Sequence, residues 1–109
     1  MPHYLVQVAY TPEAWNALIQ NPQNRIEAVR PAIESLGGKI SAGYFAFGDY
    51  DAILITEMPD NVTASAMSIA FAGGGACKGV KTTPLMTTAE AIEALKKASH
   101  TGYRAATAG

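Results

Sequence analysis

The stretch FGDYD, residues 47–51, lies between two segments rich in aliphatic, aromatic and β-branched residues. Glycine supplies the backbone freedom, and aspartate the local side-chain hydrogen bonds, that a tight chain reversal requires. We therefore predict that residues 39–47 and 51–58 are neighbouring antiparallel strands joined by this turn. Residues 52–55 are apolar at every position, which is typical of a strand covered on both faces.

The N-terminal part of the chain predicts one strand and an interrupted helix. Residues 3–10 are dominated by Tyr, Leu, Val and Ala and form the strand. Thr11 and Pro12 then begin a helix, because threonine caps helices and proline fits their first turn. Apolar residues keep a helical spacing beyond this point, but Asn21 and Pro22 interrupt it. We predict a second helix that restarts at Pro22.

The C-terminal half predicts a third helix, a fourth strand and a final helix. Residues 59–61 open the third helix, and the glycines at 73–75 end it. We expect the buried stripe of this helix to consist of Val62, Ala66, Met67, Ile69, Ala70 and Phe71. Residues 77–85 form the fourth strand. Thr87 and Glu90 then have the spacing of a capping box at the start of the last helix.

This order of elements predicts an α+β fold, a ferredoxin-like βαββαβ sandwich with a C-terminal helix. We expect residues 1–98 to form one domain, with two helices on one face of a four-stranded antiparallel sheet. The strands carry few charges, so we expect a partner to cover the second face. Residues 99–109 are mostly small and polar, and we predict a flexible tail.

The composition also favours the burial of an additional surface. Hydrophobic residues make up 49% of the 109 residues and charged residues only 16%, against about 25% charged residues in an average soluble domain. We therefore expect a homodimer or a higher homo-oligomer. The net charge of −1 gives no overall positive field, so we expect no binding to nucleic acid or to a membrane surface.

The cysteine and histidine content argues against several kinds of site. Cys77 is the only cysteine, which excludes an intrachain disulfide and fits a reducing compartment. With two histidines and scattered acidic residues, no metal-ligand spacing appears, and we predict neither a metal nor a cofactor. The chain contains no apolar run of the roughly 20 residues that span a membrane and no pattern of a secretory signal, so we predict a cytoplasmic protein.

Four segments of the sequence resemble the GYD family, a group of small bacterial and archaeal proteins. The segments are YTPEAW at 10–15, LGGK at 36–39, YFAFGDYD at 44–51 and LMTTAEA at 85–91, and the resemblance runs from about residue 4 to residue 97. It implies a dimeric α/β barrel, in which two ferredoxin-like sheets meet. The function of the family is largely uncharacterised, so the resemblance assigns no catalytic residue.

We interpret the chain as a homodimer that binds a small apolar or aromatic molecule between sheet and helices, as more distant dimeric α/β barrel proteins commonly do. The expected ligand contacts are Tyr10, Trp15, Tyr44, Tyr50 and Asp51. The same aromatic side chains also suit a core or a dimer interface. Hydrogen bonds from turn amides are a further, structural role for the aspartates, and turn chemistry favours it.

Two other functions stay open. The first is a cofactor-independent isomerase or monooxygenase-like enzyme, in which His3 or Asp51 accepts a proton and a tyrosine donates a hydrogen bond. Glu57 or Asp51 would orient His3 in that role. The second is an oligomerisation module that binds no ligand. Cys77, beside Lys78, is either a thiol with a lowered pKa or a small buried residue, and the lack of a clear base nearby in the sequence favours the second.

Overall fold

The computed structural model describes residues 1–106, which form four strands and four helices. The strands are β1 (His3–Tyr10), β2 (Lys39–Phe45), β3 (Ala52–Glu57) and β4 (Cys77–Leu85). The helices are α1 (Pro12–Gln20), α2 (Arg25–Ser35), α3 (Asn61–Gly73) and α4 (Thr88–Ala98). Of the predicted tail, residues 99–106 contain neither helix nor strand, and residues 107–109 lie outside the described part of the chain.

The four strands form one antiparallel sheet in the order β2-β3-β1-β4. The central strand β1 pairs with β3, with His3 opposite Glu57 and Val8 opposite Ala52. Helix α2 packs on the β2 side and α3 on the β4 side of the same face. This arrangement confirms the predicted α+β, ferredoxin-like fold class. Within residues 1–106 the sheet stays open and forms no closed barrel.

The central hairpin is confirmed, since β2 and β3 pair in antiparallel register with Lys39 opposite Glu57. Its reversal is longer than a tight turn. Residues 46–51 connect the two strands, and the amide of Ala46 donates to the carbonyl oxygen of Asp51 at 2.8 Å. The strands are therefore slightly shorter at the turn than the sequence pattern indicates.

The interruption between α1 and α2 is also confirmed, but α2 begins at Arg25 and not at Pro22. The reason is the side chain of Asn24, whose Oδ1 accepts hydrogen bonds from the amides of Ile26 at 3.1 Å and Glu27 at 3.2 Å. An asparagine cap satisfies amides that the first helical turn leaves without partners. Pro22 therefore lies in the connection that leads to the cap.

Two glycines follow α2, and each position requires glycine for a different physical reason. Gly37 has a φ of +82°, and its amide donates to Glu34 while the amide of Gly38 donates to Ile33. This hydrogen-bond pattern is the usual glycine-dependent helix end. At Gly38 the constraint is space, because a Cβ atom there would lie 2.8 Å from the carbonyl oxygen of Glu57 and would collide with the Met58 sulfur.

We predict that Gly38→Ala lowers the free energy of unfolding by about 2–3 kcal/mol, because the added methyl group overpacks this contact. The control is Gly73→Ala at the end of α3, where an added Cβ has no atom within 4 Å. We expect the control to change stability by less than about 1 kcal/mol. Urea denaturation measures both effects, and equal stability of the two variants would contradict the packing argument.

The core lies between the sheet and the helices α2 and α3. Its largest fully buried side chains are Tyr4, Val6, Ile33, Thr56, Met58 and Met67. The residues of β1 and β3 that point to this face alternate with residues that point to the opposite face, as the period of a strand requires. The core therefore uses one face of the sheet only.

The stripe predicted for α3 is wrong at most of its positions. The helix buries Ala64 and Met67 and packs Phe71 against the core. Val62 and Ile69 are instead 80% and 71% exposed. Because α3 carries small and apolar residues on more than one side, its sequence does not reveal which side meets the sheet.

The second face of the sheet, which we call the open face, is covered by none of the helices within residues 1–106. Its central residues Leu5, Ile53 and Ile55 are partly exposed. Tyr44 lies opposite Ile53 in the register and is 69% exposed. The centre of the open face is thus apolar and partly exposed to solvent in the single chain.

Helix α4 begins with the predicted capping box, in which the Glu90 amide donates to Thr87 Oγ1 at 3.1 Å and the Thr87 amide donates to Glu90 Oε1 at 2.9 Å. Within residues 1–106 no other element packs extensively against α4, and its Ile92 and Leu95 are 55% and 70% exposed. The radius of gyration, 17.5 Å, accordingly exceeds the value of about 13 Å for a compact domain of this length.

Candidate functional site

A cavity of about 220 Å³ lies between the sheet and the helices, at the end of the sheet where β1 ends and β4 begins. We call it the sheet–helix cavity. Its principal lining side chains are Tyr10, Arg25, Ile26, Leu54, Phe71 and Cys77. Because an apolar cavity of roughly 150 Å³ accepts benzene, this one has room for a single ring with a few further atoms.

Three residues with polar side chains line this cavity: Arg25, Tyr10 and Cys77. Burial raises the pKa of Tyr10, and the nearby guanidinium of Arg25 opposes that shift. Burial likewise raises the pKa of the Cys77 thiol. The phenol and the thiol are therefore neutral near pH 7, and the hypothesis of a lowered thiol pKa is wrong.

Tyr10 lies on the helix-covered face because it continues the alternation of Tyr4, Val6 and Val8 along β1. The pairing of β1 with β4 shifts register between Ala9 and Tyr10, which brings Tyr10 opposite Cys77. The amide of Thr11 then donates to the carbonyl oxygen of Ala76 at 3.0 Å. The irregularity thus places Cys77, and not Lys78, opposite Tyr10.

The ring of Trp15 packs edge-on against the ring of Tyr10, with the centroids 5.4 Å apart and the planes at 85°. Trp15 is 38% exposed and does not line the cavity itself. Its contact with Tyr10 fixes the tyrosine from the side of α1. An edge-to-face aromatic pair adds about 0.5–1.5 kcal/mol to the burial of its two rings.

Asp51, just before β3, makes hydrogen bonds to β1 and to the residue that follows β2, at the same end of the sheet. Its carboxylate Oδ2 accepts a hydrogen bond from the amide of Tyr10 at 2.9 Å. Its own amide donates to the carbonyl oxygen of Val8, and its carbonyl oxygen accepts from the amide of Ala46, both at 2.8 Å. The Asp51 side chain therefore makes a structural contact, but with a strand amide and not with the turn amides that the sequence predicts.

We predict that Asp51→Ala lowers the free energy of unfolding by about 1–3 kcal/mol, because the amide of Tyr10 loses its acceptor. Asp51→Asn keeps an acceptor oxygen and should recover part of the loss. Asp49→Ala is the control, since Asp49 is exposed in the same connection. Chemical denaturation compares the three variants, and an Asp49→Ala variant as unstable as Asp51→Ala would refute this role.

The candidate proton acceptors lie far apart. His3 begins β1, whereas the Asp51 carboxylate binds the amide of Tyr10 at the other end of that strand. The eight-residue strand separates its two ends by about 23 Å. The Nε2 atom of His3 is 3.7 Å from Oε1 of Glu57, so Glu57 and not Asp51 is its carboxylate neighbour. His3 and Glu57 belong to the open face and do not line the cavity.

Glu57 is held mainly by groups other than His3. The ammonium of Lys39 lies 3.2 Å from its Oε2, and the hydroxyl of Ser41 donates to the same oxygen at 3.0 Å. These two contacts, with that of Lys39 the larger, keep the pKa of Glu57 below its usual value. The cluster is consistent with an ionic network at the end of the sheet.

The remaining predicted contacts lie outside the cavity wall. Tyr44 is on the open face of β2, and Tyr50 is half-buried in the connection between β2 and β3. Of the five predicted ligand contacts, the structure brings only Tyr10 to the wall, with Trp15 against its ring and Asp51 against its amide.

Sequence reasoning did not identify Arg25 and Phe71 as wall residues. Arg25 is the first residue of α2, so its position depended on the misplaced helix start. Phe71 was assigned to the buried stripe of α3 and does pack against the core beside the cavity. A correct assignment of the Asn24 cap was the one available signal for Arg25.

The antiparallel sheet, its helix-covered face and the cavity between the two layers define an α+β ferredoxin-like protein with a small internal site. The chain belongs to the GYD domain family, whose family model matches residues 4–95. No curated protein matches the chain. The match to the GYD family model confirms the resemblance inferred from the sequence.

The described residues also bear on metal binding and membrane insertion. Among residues 1–106, no three His, Cys, Asp or Glu side chains lie close enough together to hold a metal ion. None of the helices in that part of the chain has the length and apolarity needed to cross a bilayer.

Proposed function

We propose that this protein is a homodimer that binds a small apolar or aromatic molecule in the sheet–helix cavity of each subunit. The observation that carries the proposal is the cavity of about 220 Å³, mostly apolar and with a few polar groups at its wall. Binding sites for small molecules have this character, in which apolar walls supply affinity and a few polar groups supply orientation.

The wall composition favours binding over proton-transfer catalysis. The side chains of His3 and Asp51 are absent from the wall, and so is every other histidine or carboxylate of residues 1–106. An isomerase or a monooxygenase-like enzyme that used this cavity would need a proton acceptor within hydrogen-bond reach of its substrate. The existence of the cavity itself argues against a module that serves assembly alone.

The proposed dimer forms through the open face, with a second copy of the chain as its occupant. The chain exposes 7342 Å², whereas a compact monomer of 11.4 kDa exposes about 5,800 Å². The surplus of about 1,500 Å² is larger than the roughly 800 Å² that each partner contributes to a standard interface. We propose that α4, with its exposed Ile92 and Leu95, extends the same interface.

A cytoplasmic location is also part of the proposal. The free thiol of Cys77 supports it, because reducing compartments keep such thiols unpaired.

The cavity is tested by filling it. Ala70 lies at the cavity wall on an exposed turn of α3, so Ala70→Phe places a ring where the ligand would enter. We expect the variant to bind benzyl alcohol at least about tenfold more weakly than the wild type, a loss of about 1.4 kcal/mol. Ala66→Phe, one turn earlier and also exposed, is the control and should bind as the wild type does.

Titration followed by NMR shifts of the Ile26 and Leu54 methyl groups measures this binding. Unchanged affinity in Ala70→Phe would place the ligand elsewhere. A wild type that does not bind the probe would contradict the proposed function.

We predict that the wild type sediments at micromolar concentration as a species of twice the 11.4 kDa chain mass. Ile53→Lys puts a charge in the centre of the open face and should shift the protein to the monomer, because burial of an unpaired charge is costly. Ile19→Lys, at a position of α1 that is 70% exposed, is the matched control and should leave the dimer intact. A wild-type monomer at this concentration would contradict the proposed assembly.

A further inference from the structure

We infer that the ligand of the sheet–helix cavity is a small monocarboxylic acid with one ring, whose carboxylate is bound by Arg25 and by the hydroxyl of Tyr10. This inference rests on the proposed function and assigns the chemical class of the ligand.

The first observation is that Arg25 has no counterion among residues 1–106. The residue is half-buried beside the cavity, and its only side-chain hydrogen bond within those residues is an exposed one, from Nη1 to Oε1 of Gln23 at 3.3 Å. No carboxylate of residues 1–106 lies within ion-pair distance of its guanidinium. Arg30, on the same helix, is by contrast paired with Glu27, with Nη2 2.8 Å from Oε1.

Arg25 contributes a positive charge to the lining of the cavity. A carboxylate that enters the cavity supplies this guanidinium with a charged partner. The fork of N–H donors on the guanidinium matches the two oxygens of a carboxylate. The structure thus provides a cation where a binding pocket for an acid needs one.

The second observation is the unused donor of Tyr10. Its hydroxyl makes no hydrogen bond within residues 1–106, and the residue lines the same cavity as Arg25. Burial raises the pKa of this phenol, and the positive charge of Arg25 opposes that shift. A neutral phenol donates one hydrogen bond, and a carboxylate oxygen has lone pairs for both donors.

The third observation concerns the charges of the lining residues and the volume of the cavity. Asp51 is the nearest carboxylate to Tyr10 along the sheet, and its Oδ2 is already bonded to the Tyr10 amide. One cation and one neutral hydroxyl match a single negative charge. The remaining wall, formed by Ile26, Leu54 and Phe71, is apolar, and the volume of about 220 Å³ accommodates one ring.

The test compares phenylacetate with 2-phenylacetamide, two probes of nearly identical shape that differ in charge. We expect the wild type to bind phenylacetate at least about tenfold more tightly, because hydrogen bonds to a charged group are stronger than neutral ones. The fluorescence of Trp15, which contacts Tyr10, and protection of Cys77 from alkylation provide two readouts of occupancy.

Variants then assign the preference to Arg25. Arg25→Gln should abolish the tenfold difference, because it weakens the binding of the acid more than that of the amide. Arg25→Lys keeps the charge without the fork and should retain part of the preference. Arg30→Gln removes a charge from the same helix outside the cavity wall and should change neither affinity.

The outcomes separate this inference from the proposed function. Equal affinity of the wild type for acid and amide overturns the inference and leaves the cavity as a binding site for neutral molecules. A preference for the acid that survives in Arg25→Gln also overturns it. Failure of both probes to bind the wild type, while benzyl alcohol binds, restricts the site to ligands smaller than either probe and overturns the inference alone. Failure of all three probes contradicts both proposals.

Discussion

The hydrogen bond from the amide of Tyr10 to the carboxylate of Asp51 is the interaction on which the cavity depends. The regular pairing of β1 with β3 ends at Val8, so Tyr10 has no β3 residue opposite it, although β1 stays paired with β4 on its other side. Asp51 replaces the missing strand with its side chain, at 2.9 Å, and joins β1 and the connection to β2 with its main chain. A buried amide without an acceptor is costly, so this carboxylate stabilises the end of the sheet.

The same interaction determines where the Tyr10 side chain lies. Between Ala9 and Tyr10 the register with β4 shifts, and the Asp51 carboxylate secures the backbone just beyond that shift. The ring of Tyr10 is then held by Trp15 on one side and borders the cavity on the other. The aspartate that ends the FGDYD stretch therefore acts on the site through the backbone, and its position in the sequence follows from the architecture of the sheet.

Most of the fold was accessible from the sequence because its signals are local. Strand alternation, the Thr87–Glu90 capping box and the glycines that end α2 each act within a few residues, and all of them appear in the structure. The orientation of α3 was not accessible, because Val62 and Ile69 are as apolar as the residues that the helix buries. Which side of such a helix faces the sheet is decided by tertiary packing.

The site was less accessible than the fold for the same reason. Tyr10 was identified as an aromatic residue at the end of a strand, but its partner Arg25 comes from a helix start that the sequence pattern placed three residues too early. His3 and Asp51 were candidates for one function, yet the antiparallel geometry puts them at opposite ends of β1. Juxtapositions of this kind arise from register and helix placement, which residue spacing along the chain does not encode.

Hydrogen exchange of the Tyr10 amide tests most directly whether the Asp51 carboxylate closes the end of the sheet. Our account predicts that this amide exchanges as slowly as the paired amides in the middle of β1, such as that of Val6, because both open only when the sheet unfolds. Exchange as rapid as that of the exposed Asp49 amide would show that the carboxylate does not hold Tyr10 in solution, and would contradict the basis of the proposed site.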